Sequence, residues 1–162
     1  MIYLTGNEYI EAEKYINEAI KIAKNSSCLR SKCWSIIVSK DYVIIGKGFN
    51  SPPGNLESQR RCSIQKSIYH EKINDKTCCV HAEQRAIMDA LTRNYDKISG
   101  SILYFIRLNQ NNEFLSAGKP YCTHCSKLAL DTGIESFVLW HEDGICLYNT
   151  EEYNILSFDY RE

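Results

Sequence analysis

The sequence predicts an α/β fold in which helices cover both faces of a mixed β-sheet, as in a three-layer α/β/α sandwich. Segments with helical spacing of apolar residues alternate along the chain with short β-branched and aromatic runs. The 162 residues, 44% of them hydrophobic, are enough for one well-buried core. No internal repeat or low-complexity segment is visible. A single domain over residues 1–162 is therefore expected.

The first third of the chain predicts a helix followed by a β-hairpin. Thr5-Gly6-Asn7-Glu8 is a capping box, after which apolar residues recur at helical spacing up to about Asn25. Two β-branched and aromatic runs, at 33–38 and 42–45, predict the strands of the hairpin. The second run continues into a turn at 46–54 that contains glycine and proline.

The stretch 78–91 predicts a helix that begins with chemically active side chains. Ala82, Ala86 and Ala90 lie on one helical stripe, so His81 and Glu83 belong to the first turn. The positive end of the helix dipole lies at that turn and favours anionic groups nearby. An imidazole and a carboxylate are thus placed together at a helix start.

A second helix start, within 120–130, carries two thiols. Cys122 and Cys125 are three positions apart, and Gly133 is a plausible C-cap of this helix. One imidazole and two thiolates give zinc three protein ligands and leave the fourth tetrahedral position open, which is typical of a catalytic site. Glu83 is then free to move protons at a bound water.

The second half of the chain predicts further strands. Residues 101–106 form an apolar run that predicts a buried central strand. Residues 135–141 predict another strand, and a turn then leads into 145–148. The last run is either the second strand of a hairpin or an exposed extension.

Other interpretations of the thiols remain open. A C-x-x-C pair at a helix start is also typical of thioredoxin-like redox proteins. A structural zinc would need a fourth cysteine or histidine, for which Cys79 and His124 are candidates. The combination with an upstream His-x-Glu helix is more specific than either motif alone.

His81-Ala82-Glu83, followed by Cys122-Thr123-His124-Cys125, resembles the zinc-dependent cytidine deaminase superfamily, whose signature is His-x-Glu and a later Pro-Cys-x-x-Cys. Two departures are visible. Tyr121 separates Pro120 from the first cysteine, where the family usually has an adjacent proline. Residues 109–119 lengthen the loop before the cysteine helix and are expected to lie beside the pocket.

The resemblance implies a zinc-dependent hydrolytic deaminase with a cytidine deaminase-like fold. Zn²⁺ would be the cofactor, with His81, Cys122 and Cys125 as its ligands. Glu83 would be the catalytic residue that transfers protons while C4 of a cytosine ring exchanges its amino group for oxygen. The expected products are ammonia and a uracil compound.

Two substrate contacts are also implied by the resemblance. The asparagine of the family's Gly-aromatic-Asn turn contacts the substrate's sugar, which makes Asn50 the candidate for that role. The backbone around Ala82 would hold the edge of the base. An asparagine before Ser-Pro-Pro-Gly is otherwise an ordinary turn residue.

Residues at about 51–79 form an insertion that resembles the one in deoxycytidylate deaminases, after a Gly-aromatic-Asn and proline-containing loop. This favours a cytosine nucleotide of the dCMP type over a nucleoside. Arg60, Arg61, Lys66 and Lys72 are candidates for a phosphate site. A solvated, partly helical surface explains these charges equally well.

The insertion also contains soft metal ligands, namely Cys62, His70 and the pair Cys78-Cys79. Some deoxycytidylate deaminases hold a second, structural zinc in such an insertion, so the resemblance suggests a second zinc site in this chain as well. Cys28 and Cys33 could join that site. The alternative is that these cysteines are buried and act as small hydrophobic residues.

Composition narrows the functional classes. The net charge of −1 argues against a protein that grips a nucleic-acid backbone. Neither a long apolar run nor a secretory leader is visible, so neither a membrane span nor secretion is expected. Four of the eight cysteines lie in CC and C-x-x-C pairs, which favours reduced thiols and a cytoplasmic location.

Three functions remain open at this point. The preferred one is a deaminase of a free cytosine nucleotide or nucleoside. The alternatives are a deaminase of another free nucleobase or of a nucleic-acid base, as in the transfer-RNA adenosine deaminases, and a zinc module without activity. The presence of Glu83 argues against the last of these.

The C-terminal tail predicts self-association. Tyr148, Tyr153, Phe158 and Tyr160 offer more aromatic surface than a small monomer readily hides. A homo-oligomer, at least a dimer, is therefore expected.

Overall fold

The computed structural model describes residues 1–23, 26–29, 31–62 and 79–160, and its described strands form one mixed seven-stranded sheet. In chain order the elements are β1 (Ile2–Tyr3), α1 (Gly6–Ala23), β2 (Lys32–Val38), β3 (Ile44–Phe49), α2 (Ala82–Arg93), β4 (Ile102–Leu108), β5 (Phe114–Leu115), α3 (Thr123–Asp131), β6 (Ser136–His141), β7 (Gly144–Asn149) and α4 (Thr150–Asp159). The strand order is β1-β7-β6-β4-β2-β3, with β5 paired to β4. β4 and β6 are parallel, and the other pairs are antiparallel.

Alternation along the central strands divides their side chains between the two faces of the sheet. On β4, Tyr104 and Ile106 belong to the core beneath α1, together with Ala12 and Ile16 of that helix. Leu103 belongs to the opposite core. This confirms the predicted buried central strand, and among the described helices it leaves α1 alone on its face of the sheet.

The opposite face carries α2, α3 and α4. Ala86 and Ile87 of α2, Ala129 of α3 and Tyr153 of α4 share one core with Leu103. Helices therefore cover both faces of a mixed sheet, and the predicted three-layer α/β/α fold is confirmed. None of the described helices is both long enough and apolar enough to cross a membrane.

Two glycines on β3 determine how closely α2 approaches the sheet. A Cβ atom at Gly46 would collide with the carbonyl oxygen of Ala86, and one at Gly48 would collide with that of Ala82. Since the facing helix positions are alanines, backbone packs almost directly on backbone. The N-terminus of α2, with Glu83 in its first turn, is positioned by this contact.

Two elements differ from the sequence prediction. The stretch 109–119, expected to be a loop, contains β5, which pairs with the end of β4 and packs Phe114 against Trp140 with ring centroids 4.4 Å apart. The tail beyond 149 forms α4, whose N-cap Asn149 accepts a hydrogen bond from the backbone of Glu151. The predicted hairpin of β6 and β7 is confirmed.

The four tail aromatics were expected to offer surface that a small monomer does not readily hide, and for two of them this expectation was wrong. Tyr148 and Tyr153 are buried, because α4 folds back onto the sheet and stacks Tyr153 on Phe137 with a centroid distance of 4.0 Å. Phe158 and Tyr160 remain exposed.

The described part of the insertion contains two short 3₁₀ turns, Pro53–Asn55 and Glu57–Gln59. Four residues named as candidates in the insertion lie outside the described residues: Lys66, His70, Lys72 and Cys78.

Candidate active site

The starts of α2 and α3 carry the predicted metal ligands. His81 is the N-cap of α2, where its backbone N–H donates to Oε1 of Gln84 at 3.0 Å and its carbonyl accepts from Arg85 at 3.1 Å. Cys122 is the N-cap of α3, and its sulfur accepts a hydrogen bond from the backbone N–H of Cys125 at 3.4 Å. Capping therefore holds both helix starts in place.

These two caps bring three donor atoms together. Nδ1 of His81 lies 3.2 Å from Sγ of Cys122 and 3.3 Å from Sγ of Cys125, and the two sulfurs are 3.1 Å apart. Zinc bonds of about 2.3 Å to sulfur and about 2.0 Å to nitrogen imply tetrahedral ligand atoms about 3.5–3.8 Å apart. A slight opening of the side chains fits a zinc ion, and the imidazole and thiol donors suit that metal.

The surroundings of the thiols favour the charged form of one of them. The hydrogen bond between the two thiols, together with His81, lowers the pKa of Cys122 well below its ordinary value. The same hydrogen bond and burial raise the pKa of Cys125. Thiolates are the form that binds metal, so the lowered pKa of Cys122 favours metal binding.

Glu83 lies beside this cluster but is not one of its three donors. Its side chain is buried, with the residue only 5% exposed, and it lines the same pocket as His81. Burial raises the pKa of the Glu83 carboxyl, while the charge of His81 opposes the shift. A buried carboxyl of this kind is suited to taking up and releasing protons.

A cavity of about 420 Å³ adjoins these groups, which is within the usual size of small-molecule sites. His81, Ala82 and Glu83 contribute to its lining from the start of α2, and Phe105 and Arg107 contribute from β4. The site is therefore a pocket bounded by a helix start and the end of the central strand.

The alternation of β4 explains why a pocket forms here. Leu103, Phe105 and Arg107 follow one another on the same face, and only Leu103 is fully within the core. Cys33 of β2 stands opposite Arg107, and this small side chain leaves space that a larger one would fill. Burial, then the charge of Glu83, raises the pKa of Cys33 to about 12, so it is a neutral thiol.

The segment after β5 closes another side of the pocket. Ala117, Gly118 and Lys119 line it, as the lengthened loop was expected to do, and the two tyrosines Tyr121 and Tyr160 line it as well. Although Tyr121 as a residue is 54% exposed, desolvation of its hydroxyl group, followed by the charge of Glu83, raises the pKa of that group. The hydroxyl group therefore lies within electrostatic range of Glu83.

Asn50 lies in the pocket lining, but its amide already has protein partners. Its Oδ1 accepts hydrogen bonds from Oγ of Ser26 at 2.6 Å and from the backbone of Cys33 at 2.8 Å. Its Nδ2 donates to the carbonyl of Ser31 at 2.8 Å. These bonds hold the amide in one orientation and leave one N–H hydrogen for a further acceptor.

Among the described residues, the cations of this pocket differ from the arginines that the sequence suggested. Arg107 and Lys119 line it, whereas the described arginines of the insertion do not. Arg60 is paired with Glu57, and Arg61 donates to backbone carbonyls beside it. The sequence reasoning overlooked Arg107, a charged residue at an inward position of the otherwise apolar strand β4.

A second group of thiols lies near the first. The sulfurs of Cys28, Cys62 and Cys79 are all within 4.8 Å of one another. These residues also line the cavity that contains Glu83. Cys62 and Cys79 were among the predicted ligands of a second zinc, and Cys28 was a further candidate. Cys33 is not part of this group among the described residues.

The fold and the ligand set define a class of protein, the zinc-dependent hydrolytic deaminases. The family model of the cytidine and deoxycytidylate deaminase zinc-binding region matches residues 10–141, and the chain belongs to that family. A comparison with curated proteins gave no match. The family and the His81, Cys122 and Cys125 cluster identify Zn²⁺ as the cofactor.

Proposed function

We propose that this deaminase acts on a cytosine nucleotide of the dCMP type and releases ammonia and the corresponding uracil nucleotide. The observation that carries this proposal is one cavity lined by Glu83, by His81 of the metal cluster and by two cations, Arg107 and Lys119. Such a cavity offers groups for both the reacting base and an anionic group of the same small molecule.

His81, Cys122 and Cys125 hold the metal in this proposal. Zinc, when bound, supplies a water molecule activated at neutral pH. Glu83 would take up a proton at its carboxylate, deliver it to the ring nitrogen next to C4 and then assist the departure of ammonia. Its burial and raised pKa favour these reversible transfers, because the neutral and charged carboxyl are closer in free energy than in water.

Ala82 and Asn50 are proposed to hold the substrate in place. Ala82 is fully buried and lines the pocket next to Glu83, so its backbone can meet the edge of a base that reaches the carboxyl. Asn50 would donate its remaining amide hydrogen to a sugar oxygen. Its bonds to Ser26, Ser31 and Cys33 support this role because they fix the direction of that hydrogen.

The substrate's phosphate is proposed to bind Arg107 and Lys119. Arg107 is oriented by a hydrogen bond from Nε to Oγ of Ser31 at 2.9 Å, which leaves the terminal nitrogens of its guanidinium for a ligand. A planar guanidinium can bind two phosphate oxygens together, and a lysine adds a point charge. This pair favours a nucleotide over a nucleoside or a free base.

A substrate screen tests the proposal directly. The zinc-loaded protein is incubated with dCMP, deoxycytidine, cytidine, dCTP, guanine, adenosine and transfer RNA, and ammonia release is measured. The highest kcat/KM is expected with dCMP. A preference for deoxycytidine would contradict the phosphate assignment, and activity confined to guanine or transfer RNA would assign the protein to one of the alternative substrate classes.

The second thiol cluster is also proposed to bind zinc. Cys28, Cys62 and Cys79 present three soft donors close together, which is enough for most of a tetrahedral site. His70 and Cys78, named from the sequence as further ligands, lie outside the described residues. Purified protein should then contain about two zinc ions per chain, because a closed structural site retains its metal.

Self-association and location complete the proposal. Met88 and Leu91 are exposed apolar residues on neighbouring positions of α2, which supports a homo-oligomer. A monomer mass independent of concentration in light scattering would contradict it.

We place the protein in the cytoplasm because both clusters need reduced thiols. Fractionation of cells tests this placement.

A further inference from the structure

Tyr121 occupies an unusual place beside the metal cluster. It stands between Pro120, which is buried, and Cys122, the N-cap of α3. The side chain does not enter the core, since the residue is 54% exposed, yet it lines the cavity that contains Glu83. A large aromatic ring is therefore presented to the pocket directly next to a metal-ligand position.

Tyr160 reaches the same place from the other end of the chain. It follows the last residue of α4 in an extended conformation and is 41% exposed. α4 is fixed to α3 by a hydrogen bond from Oγ of Ser126 to Oδ1 of Asn154 at 2.8 Å. The rings of Tyr121 and Tyr160 lie 5.8 Å apart at an interplanar angle of 55°.

The exposure of this pair contrasts with the other tyrosines of the same tail. Tyr148 and Tyr153 are buried in the core, where their rings pack edge to face with centroids 6.0 Å apart. Tyr121 and Tyr160 contact each other and line the pocket, yet the two residues remain 54% and 41% exposed. Two partly exposed aromatic rings at a small-molecule cavity are suited to a flat, apolar-faced ligand.

A nucleotide base is such a ligand. Bases stack on aromatic side chains whatever their hydrogen-bonding edge, so stacking contributes affinity without replacing the contacts made by Ala82 or Glu83. Phe105 lines the cavity as a third aromatic ring. Arg107 and Lys119 supply positive charge for the phosphate, whereas the tyrosines supply aromatic rings for the base.

We propose that Tyr121 and Tyr160 form an aromatic mouth that stacks on the pyrimidine nucleotide as it enters the pocket. The proposal rests on the proposed function, and it adds two substrate-binding residues to that site. Tyr160 brings the C-terminal end of α4 into substrate binding. Neither tyrosine transfers a proton or holds the metal, so both act on binding and leave the chemical step to Glu83.

Three variants of α4 and the residue after it test the role of Tyr160 in the zinc-loaded enzyme. Tyr160→Ala removes the ring and should raise the KM for dCMP roughly tenfold, the scale of one base-stacking contact, with little change in kcat. Tyr160→Phe keeps the ring and should restore the KM. Phe158→Ala is the matched control, because Phe158 is an exposed aromatic ring near the end of α4 that packs under Lys127 and does not line the pocket.

Tyr121→Phe and Tyr121→Leu test the other half of the mouth. The first should preserve the KM and the second should raise it, with zinc content equal in both. Binding of the product dUMP to the zinc-loaded protein, measured by calorimetry, gives a readout that does not need turnover. The loss of affinity in Tyr121→Leu and Tyr160→Ala should match the rise in KM.

The outcomes separate the mouth from the proposed function. If dCMP or dUMP binds without ammonia release, the proposed function fails. The dUMP affinities of the tyrosine variants then still show whether Tyr121 and Tyr160 stack on the nucleotide. An unchanged KM and dUMP affinity in Tyr160→Ala and Tyr121→Leu would overturn the proposal. So would a fall in kcat at constant KM, or a wild-type protein that binds neither nucleotide.

Discussion

The two thiol clusters of the molecule are built in different ways. His81, Cys122 and Cys125 stand at the starts of two helices, where each position is fixed by a cap and by packing on the sheet. Cys28, Cys62 and Cys79 lie instead in irregular segments between the elements. The first cluster therefore depends on the fold, whereas we expect the segments of the second to depend on the metal.

Their neighbours differ as well. The helix-start cluster, His81, Cys122 and Cys125, has the buried carboxyl group of Glu83 beside it and outside its donor set. A reaction site with an open metal position needs such a carboxyl group for proton transfer. The irregular-segment cluster, Cys28, Cys62 and Cys79, also lines the cavity, and among the described residues its donor set contains only thiols. Because Cys79 lies only two residues before His81, the second cluster can still affect the geometry of the first.

The largest expected effect comes from removing a thiolate of the helix-start cluster. Cys125→Ser should lower the zinc content by about one ion per chain and abolish detectable turnover, because oxygen is a poorer ligand than a thiolate at this kind of zinc site. Metal analysis and an ammonia assay measure both effects. His124→Gln is the control, since His124 is exposed between the two cysteines. Full zinc and activity in Cys125→Ser would contradict the ligand assignment.

Pushing the start of α2 away from the sheet should have the next largest effect. Gly48→Ala places a methyl group against the carbonyl of Ala82 and should lower the free energy of unfolding by about 1–3 kcal/mol. Displacing the start of α2 by about 1 Å should also lower kcat about 100-fold. Lys47→Ala, an exposed position on the same strand, serves as control. Wild-type stability and kcat for Gly48→Ala would show that β3 does not position the site.

Loss of the second cluster should have a smaller effect on turnover. Cys28→Ser or Cys62→Ser should each remove about one zinc per chain and reduce thermal stability, while the helix-start zinc and part of the activity remain. Cys33→Ser applies the same change within the same cavity, outside both clusters, and should leave the metal content unchanged. One zinc per chain in the wild type, with no change in either variant, would show that these thiols do not bind metal.

The smallest effect is expected at the phosphate contacts, which belong to neither cluster. Arg107→Met should raise the KM for dCMP about tenfold or more, the scale of a hydrogen bond to a charged group, and leave the KM for deoxycytidine almost unchanged. Arg107→Lys keeps the charge and should lose less. Equal effects on the two substrates would remove the phosphate assignment and indicate a structural role for the bond to Ser31.

The layered fold was predictable because its elements carry local patterns. The alanine stripe of α2 and the apolar runs of β4 and β6 are signals within single segments. α4 lacked such a signal, since its polar and apolar residues are not separated onto opposite faces. It exists because Tyr153 packs on Phe137 from β6, a contact that local sequence does not reveal.

The metal-binding half of the site was predictable from the sequence, whereas much of the pocket lining was not. His81 and Glu83 are two residues apart, and Cys122 and Cys125 three, so each half was visible as a short motif. Arg107, Lys119 and Tyr160 entered the pocket only through strand pairing and through the return of α4. Sequence reasoning did not find them because charge alone does not indicate which side chains face inward.

The most direct test of the catalytic assignment is Glu83→Gln. Glutamine keeps the size of the side chain but cannot transfer protons, so we expect unchanged zinc content, an unchanged fold, and a fall in kcat of about 10²–10⁴-fold or more on dCMP. Loss of zinc in this variant would make Glu83 a metal ligand and close the open coordination position. Wild-type kcat would contradict the assignment of Glu83 as the proton-transferring residue.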